Sequence, residues 1–60
     1  MQFEANLQDH EPVVVTGVKG MKSAHFRLRF RSLTAFARWA ESEKAGDYTV
    51  HTVERSYERR

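Results

Sequence analysis

With 60 residues and no cysteine, the chain can build one small hydrophobic core, and it excludes disulfides and cysteine-ligated zinc. Its net charge of +2 is too small to indicate nucleic-acid binding by itself, and no apolar run approaches the ~20 residues of a membrane-spanning helix. The sequence therefore predicts a single domain over residues 1–60, marginally stable alone, to which a partner or a homodimer would add stability.

The first two predicted strands differ in their pattern. In residues 1–8 apolar and polar side chains alternate, so the apolar ones, at every second position from Met1 to Leu7, share one face of a strand. Residues 9–12 predict a turn ending in proline, which cannot donate to a β-ladder. The β-branched run of residues 13–18 predicts a second strand, and its continuous apolar character favours a central position.

A loop over residues 19–23 leads to the third predicted strand. Gly17 and Gly20 frame a Gly-x-x-Gly sequence that joins two strands, so we interpret Gly17 as a bulge or strand-end residue and Gly20 as a turn residue. Apolar and basic side chains alternate strictly over residues 24–31, which is typical of a half-buried strand. The side chains expected to face the core, as its central rib, are Phe26, Leu28 and Phe30, together with Ala24.

The other face of the third strand carries what we call the basic row: His25, Arg27, Arg29 and Arg31. Neighbours in this row would lie ~6.8 Å apart, and two arginines at that distance repel by about 0.6 kcal/mol in water. Glu4 on the first strand and Glu54 on the fourth are candidate cross-strand partners that would reduce this repulsion.

A helix is predicted to follow Ser32, whose hydroxyl can cap it with Leu33 as the first helical residue. Gly46 is predicted to end this helix as its C′ residue, after 13 or so helical residues. The helical period predicts a core-facing stripe, with Trp39 on its border, made of Leu33, Phe36, Ala37 and Ala40.

The fourth predicted strand covers residues 48–57, and residues 58–60 are expected to form a frayed tail. Val50 and Val53 differ in parity, which indicates a bulge or a change of exposed face. The element order β-β-β-α-β predicts an α+β fold, with a single small three- or four-stranded sheet and one helix packed on one face. A crossover through the helix would make strands three and four parallel, whereas the sequence leaves open whether strand four lies beside strand one or strand three.

The distribution of charge gives the main functional hypothesis. Between Lys19 and Arg38 every charged residue is basic, whereas residues 1–12 carry acidic residues and neither lysine nor arginine. One interpretation is a solvated sheet face, or edge charges that discourage edge-to-edge pairing. The other is a surface whose guanidinium groups match carboxylates or phosphates. The predicted partner- or phosphate-binding residues are Arg27, Arg29, Arg31, His25, Lys19 and Lys22.

Two classes of partner fit this surface. In the first case this chain is a small non-enzymatic interaction or regulatory protein, which binds a protein partner, or itself as a homodimer, through the basic sheet face and the helix. A nucleic-acid-binding module would contact phosphates through Arg27, Arg29 and Arg31, and a total of ~4–5 phosphate contacts would give a log–log salt slope of roughly −4. Sheets that bind single strands usually expose aromatic side chains for stacking, and only Tyr57 and Tyr48 could serve here. The protein partner is therefore favoured.

The predicted helix offers a second interface. Arg38 and Trp39 are its candidate protein-interface anchors, because arginine and tryptophan dominate interface hot spots, and Glu41 or Glu43 would complete the epitope. The favoured interpretation of Trp39 is packing onto the sheet at the border of the core.

No motif indicates catalysis, a cofactor or a metal. The serines lie in no nucleophile context, and no two carboxylates form a recognisable acid–base arrangement. His10, His25 and His51 lack the spacing of metal ligands and are expected to be solvated. Without an apolar span or a signal-peptide pattern, a cytoplasmic location and no membrane contact are expected.

Overall fold

In the computed structural model, which describes residues 2–57, one four-stranded sheet carries one α-helix. The strands are β1 (Gln2–Phe3), β2 (Val13–Lys19), β3 (Ala24–Phe30) and β4 (Tyr48–Arg55). The helix α1 (Leu33–Ala40) and a 3-10 turn (Glu43–Ala45) lie between β3 and β4. The predicted α+β class and the β-β-β-α-β order are confirmed, and the predicted frayed tail at 58–60 falls outside the described residues.

The strands are arranged in the order β1-β4-β2-β3. Strand β2 is antiparallel to both β3 and β4, so these two strands run in the same direction, as the crossover predicted, with β2 between them. Strand β1 pairs in parallel with β4 at the far edge. The structure therefore decides the order that the sequence left open, and the valine-rich β2 is central as predicted.

The core lies between the sheet and α1. Val13 and Val15 of β2, Val53 of β4 and Phe36 of α1 are buried together, and partly buried apolar side chains surround them. The prediction that β3 supplies the central rib is wrong because β3 is an edge strand, where a side chain has a neighbouring strand on one side only. Its apolar side chains are half-buried at Phe26, Leu28 and Phe30 and exposed at Ala24.

The helix begins as predicted and ends earlier. Ser32 caps it, with Oγ accepting a hydrogen bond from the backbone N–H of Ala35 at 3.0 Å. The chain leaves the α-helix after Ala40, and Gly46 closes the 3-10 turn with φ −59°, so it is not the left-handed C′ residue expected. The core-facing stripe also differs. Its members are Leu33, Phe36 and Trp39, whereas Ala37 and Ala40 are exposed.

The predicted first strand is mostly a loop. Only Gln2–Phe3 pairs with β4, and Phe3 is 53% exposed. Asn6 has a φ of 67°, a left-handed conformation that a strand cannot include. Leu7 still packs against the core, so the loop covers it without extending the sheet.

The bulge predicted from the valine parity is present in β4. Thr16 pairs with Thr52 and Gly17 with Val50, so His51 is the extra residue between the two pairs. A Cβ at Gly17 would lie 2.0 Å from the carbonyl oxygen of Thr49, so only glycine fits opposite the bulge. Gly20, at φ +74°, is the turn residue that the sequence predicted.

Candidate interaction surface

The face of the sheet opposite α1 brings basic side chains of β3 into register with small side chains of β2. Arg29 lies opposite Val14, Arg27 opposite Thr16, and His25 opposite Val18. This register follows from the alternation of side chains, because the neighbouring positions Val13 and Val15 point into the core. We call this surface the open face.

Strand β4 contributes a carboxylate and a hydroxyl group to the open face. Glu54 is in register with Val14, and the hydroxyls of Thr16 and Thr52 are hydrogen-bonded to each other. Val14 is only 7% exposed although it faces away from the helix, so the long side chains around it shield it.

These side chains line a groove of about 230 Å³ at one end of the open face. Tyr57, which follows β4, is 77% exposed and also lines it. The groove combines guanidinium groups, a carboxylate and an aromatic ring, so it can bind a carboxylate or a phosphate but is not uniformly basic. Its walls are Val14, Thr16, Arg27, Arg29, Glu54, Arg55, Ser56 and Tyr57.

The structure does not gather all six predicted partner- or phosphate-binding residues on this face. Arg31 follows the end of β3 and lines a separate groove of about 260 Å³ together with Arg38, which lies in the last turn of α1. Lys19 is in register with Ala24 and Tyr48, and its Nζ lies 5.7 Å from the centre of the Tyr48 ring, on the helix side of the sheet. The basic row on the open face therefore reduces to His25, Arg27 and Arg29.

Lys19 and Lys22 meet at the β2–β3 turn instead. They line an open depression of about 460 Å³, next to the fully exposed side chain of Met21. The depression is held by a hydrogen bond from the N–H of Gly20 to the carbonyl oxygen of Asp47, 2.8 Å long. The two lysines thus lie at the tip of the β2–β3 hairpin and not beside the basic row.

The two candidate anchors on α1 have different surroundings. The Trp39 ring packs within the aromatic cluster, with its centre 5.3 Å from that of Phe30 and 5.0 Å from that of Tyr48. Arg38 is exposed. Adjacent helical residues point about 100° apart, so Arg38 and Trp39 do not share a face.

Tyr48, one of the two candidate stacking residues, belongs to the same aromatic cluster. Its ring contacts Trp39 and also Phe26, at 4.9 Å between centres, on the helix side of the sheet. Tyr57 is therefore the one described tyrosine that borders the open face.

Glu4 does not pair with the basic row, because β1 lies at the opposite edge of the sheet. Its carboxylate instead binds Arg55, with Oε2 2.7 Å from Nη1 and Oε1 accepting from the Arg55 backbone N–H. Glu11 binds the same guanidinium, with Oε2 2.9 Å from Nε. Asn6 completes the set through its carbonyl oxygen, which accepts from Nη2.

We call Arg55 and its partners Glu4, Asn6 and Glu11 the arginine cluster. The cluster joins the N-terminal loop to the end of β4. Hydrogen bonds to Arg55 and to the backbone N–H of Gln8 lower the pKa of Glu11, and the bond to Glu11 is the main cause of a raised pKa at Arg55. No local pattern of the sequence predicts this cluster, because Glu11 and Glu4 are 44 and 51 residues away from Arg55.

The described residues give no sign of a metal centre or a membrane span. Within residues 2–57 no three histidine, aspartate or glutamate side chains are placed to hold a metal ion, and His10, His25 and His51 are all exposed. No helix in that part of the chain is long and apolar enough to cross a bilayer.

Comparison with known proteins adds no relative: no family model matches the chain, and neither a curated protein nor a solved structure is significantly similar to it.

Proposed function

We propose that the protein is a non-enzymatic interaction module that binds an acidic surface of a protein partner through its open face. The observation that carries this proposal is the register of Arg27 and Arg29 on a face that α1 leaves uncovered. Guanidinium groups match carboxylates in paired hydrogen bonds, and a partner of this kind adds stability that a core of this size lacks.

Charge composition favours a protein over a nucleic acid as the partner. Glu54 lines the same groove as Arg27 and Arg29, and a carboxylate there opposes a phosphate backbone. Two arginines would neutralise about two phosphates, so a nucleic-acid complex of the open face would have a log–log salt slope of roughly −2. A protein surface can place acidic side chains at the arginines and a donor at Glu54.

A nucleic-acid partner is the second candidate, and Tyr57 is the observation that favours it. The ring is 77% exposed and lines the same groove as the two arginines, with its hydroxyl donating to Glu4 Oε2 at 3.4 Å, so a base could stack on its face. Single-stranded RNA or DNA is the form with unstacked bases available for such contact.

A homodimer through paired β3 edges is disfavoured by the same charges. Strands that pair edge to edge keep side chains of one face together, so Arg27, Arg29 and His25 would meet only one another. Two arginines directly opposite, ~5 Å apart, repel by about 0.8 kcal/mol in water before salt screening. A foreign acidic partner relieves this repulsion.

The test is an NMR titration of the isotope-labelled protein with a polyglutamate peptide, a single-stranded oligonucleotide and a duplex of the same sequence. We expect the peptide to shift the amide signals of β2 and β3. Arg27→Glu should abolish these shifts. Arg38→Glu, which makes the same charge change on α1, should leave them intact.

Each alternative gives a different result. Shifts produced by the single-stranded oligonucleotide alone, and lost in Tyr57→Ala, would replace the protein partner with a nucleic acid. Equal loss of peptide binding in both arginine variants would show general charge attraction and contradict a specific role for the open face.

A further inference from the structure

Among the described residues, β3 forms one outer edge of the sheet. This strand is last in the order β1-β4-β2-β3 and is seven residues long, and within residues 2–57 no segment pairs with its outer side. In an antiparallel edge strand the N–H and C=O groups of alternate residues point away from the neighbouring strand. The edge therefore offers a row of backbone donors and acceptors to an incoming chain.

The opposite edge of the sheet is covered along part of β4. Strand β1 pairs with the C-terminal half of β4, and the Glu4 N–H donates to the carbonyl oxygen of Val53 at 2.9 Å. The Glu4 carboxylate then accepts from the Arg55 N–H at 2.7 Å. The two edges of one small sheet thus differ, and the longer free edge is the one that carries the basic side chains.

The two faces of β3 impose different chemistry on an added strand. On the open face an incoming side chain would meet His25, Arg27 or Arg29. On the helix side it would meet Phe26, Leu28 or Phe30, all half-buried, so an apolar neighbour would complete their burial. An added strand that satisfies both faces alternates acidic and apolar residues.

We propose that β3 accepts an extended segment of a partner protein as a fifth strand, and that this segment alternates acidic and apolar side chains. The inference rests on the proposed function, because it names the form in which the acidic partner binds. Backbone hydrogen bonds along β3 supply affinity, and the two rows of side chains select the sequence. A second copy of β3 fails this selection because it presents basic residues to basic residues.

The test uses a seven-residue peptide of alternating glutamate and valine, capped at both ends and matched in length to β3. One control peptide replaces every glutamate with lysine, and another has the same composition with its glutamates contiguous. Two further peptides carry N-methyl groups on one or the other set of alternate residues. Since an added strand uses only one set of amides, one N-methylated peptide should lose binding and the other should keep it.

Binding is measured by amide shifts and by isotope-filtered contacts between the peptide and β3. We expect the alternating acidic peptide to bind, the lysine and contiguous peptides to bind at least roughly tenfold more weakly, and Arg27→Glu to weaken binding by about the same factor. Arg38→Glu should bind as the wild type does.

Failure of this inference is distinguishable from failure of the proposed function. If the contiguous peptide and both N-methylated peptides bind as well as the alternating one, the open face attracts acidic chains without strand addition, and only the inference is overturned. If no acidic peptide binds, both are overturned. A dimer in sedimentation that the alternating peptide cannot dissociate would assign the edge to a second copy and also overturn the inference.

Discussion

Replacing Gly17 with alanine changes the stability of the fold in two opposite ways, through the local strand propensity and through a tertiary contact. Alanine in a strand loses less conformational entropy than glycine, so propensity alone predicts a gain of about 0.5–1 kcal/mol. The structure predicts a loss, because the added Cβ would lie 2.0 Å from the Thr49 carbonyl oxygen and 3.0 Å from the His51 nitrogen. Both are backbone atoms, so neither can rotate away.

The size of the loss follows from the separation that the methyl group requires. A relaxed contact between carbon and carbonyl oxygen is ~3.3 Å, so β2 and β4 would have to separate by about 1 Å beside the bulge. That movement breaks about two backbone hydrogen bonds at about 1 kcal/mol each and adds strain to the neighbouring pairs. A net loss of about 2–3 kcal/mol is large beside the ~3–5 kcal/mol available to a domain of this size.

Urea unfolding followed by far-ultraviolet circular dichroism measures the effect. With a slope of about 1 kcal/mol per molar urea, the unfolding midpoint of Gly17→Ala should fall by about 2–3 M. Gly20→Ala is the control. Gly20 has a positive φ and no neighbouring atom within 4 Å, so the cost should be only about 1–2 kcal/mol, from the backbone conformation. A Gly17→Ala midpoint at or above that of the wild type would refute the reasoning.

Three further predictions concern the core, the helix cap and the arginine cluster. Phe36 is 3% exposed, so Phe36→Ala should cost about 3–5 kcal/mol and abolish the cooperative thermal transition; an intact transition would contradict its central place in the core. Ser32→Ala should lower the free energy of unfolding by about 1 kcal/mol and Ser32→Gly by only a few tenths, because the hydroxyl caps the Ala35 N–H; equal midpoints for both variants and wild type would exclude the cap. The lowered pKa of Glu11 stabilises the folded state fully above its ordinary value of 4.5, and this contribution is lost as the pH falls through the folded-state pKa. Glu11→Gln should therefore reduce the loss of stability between neutral and acid pH, and an unchanged pH dependence of the urea midpoint would show that its bond to Arg55 contributes nothing.

Local patterns predicted much of the fold. Alternation identified β3 and its two faces, the valine parity indicated the bulge in β4, and a serine before an apolar stripe predicted the start of α1. These features depend on neighbours in sequence, where the periods of strand and helix operate directly. The end of α1 was not predicted, because a glycine was taken as the signal that ends the helix. The chain leaves the helix after Ala40 without one.

The candidate site was predicted only as one strand of basic side chains. That Arg27 and Arg29 share a groove with Glu54 and Tyr57 depends on β4 lying next to β2, which no local pattern encodes. The same strand order places Lys19 of β2 beside Tyr48 of β4 and brings Glu4 to Arg55. Cross-strand partners come from the packing of the whole chain.

The sequence by itself determined that this protein is a small α+β domain whose third strand has a basic and an apolar face. Side-chain alternation is a property of a single strand, so it can be read without knowing the neighbours. Only the tertiary structure decided that this strand is an edge and not the rib of the core, because an edge is defined by the absence of a pairing strand in residues 2–57. That position places the basic row along an outer edge of the sheet, to which no strand of residues 2–57 is paired.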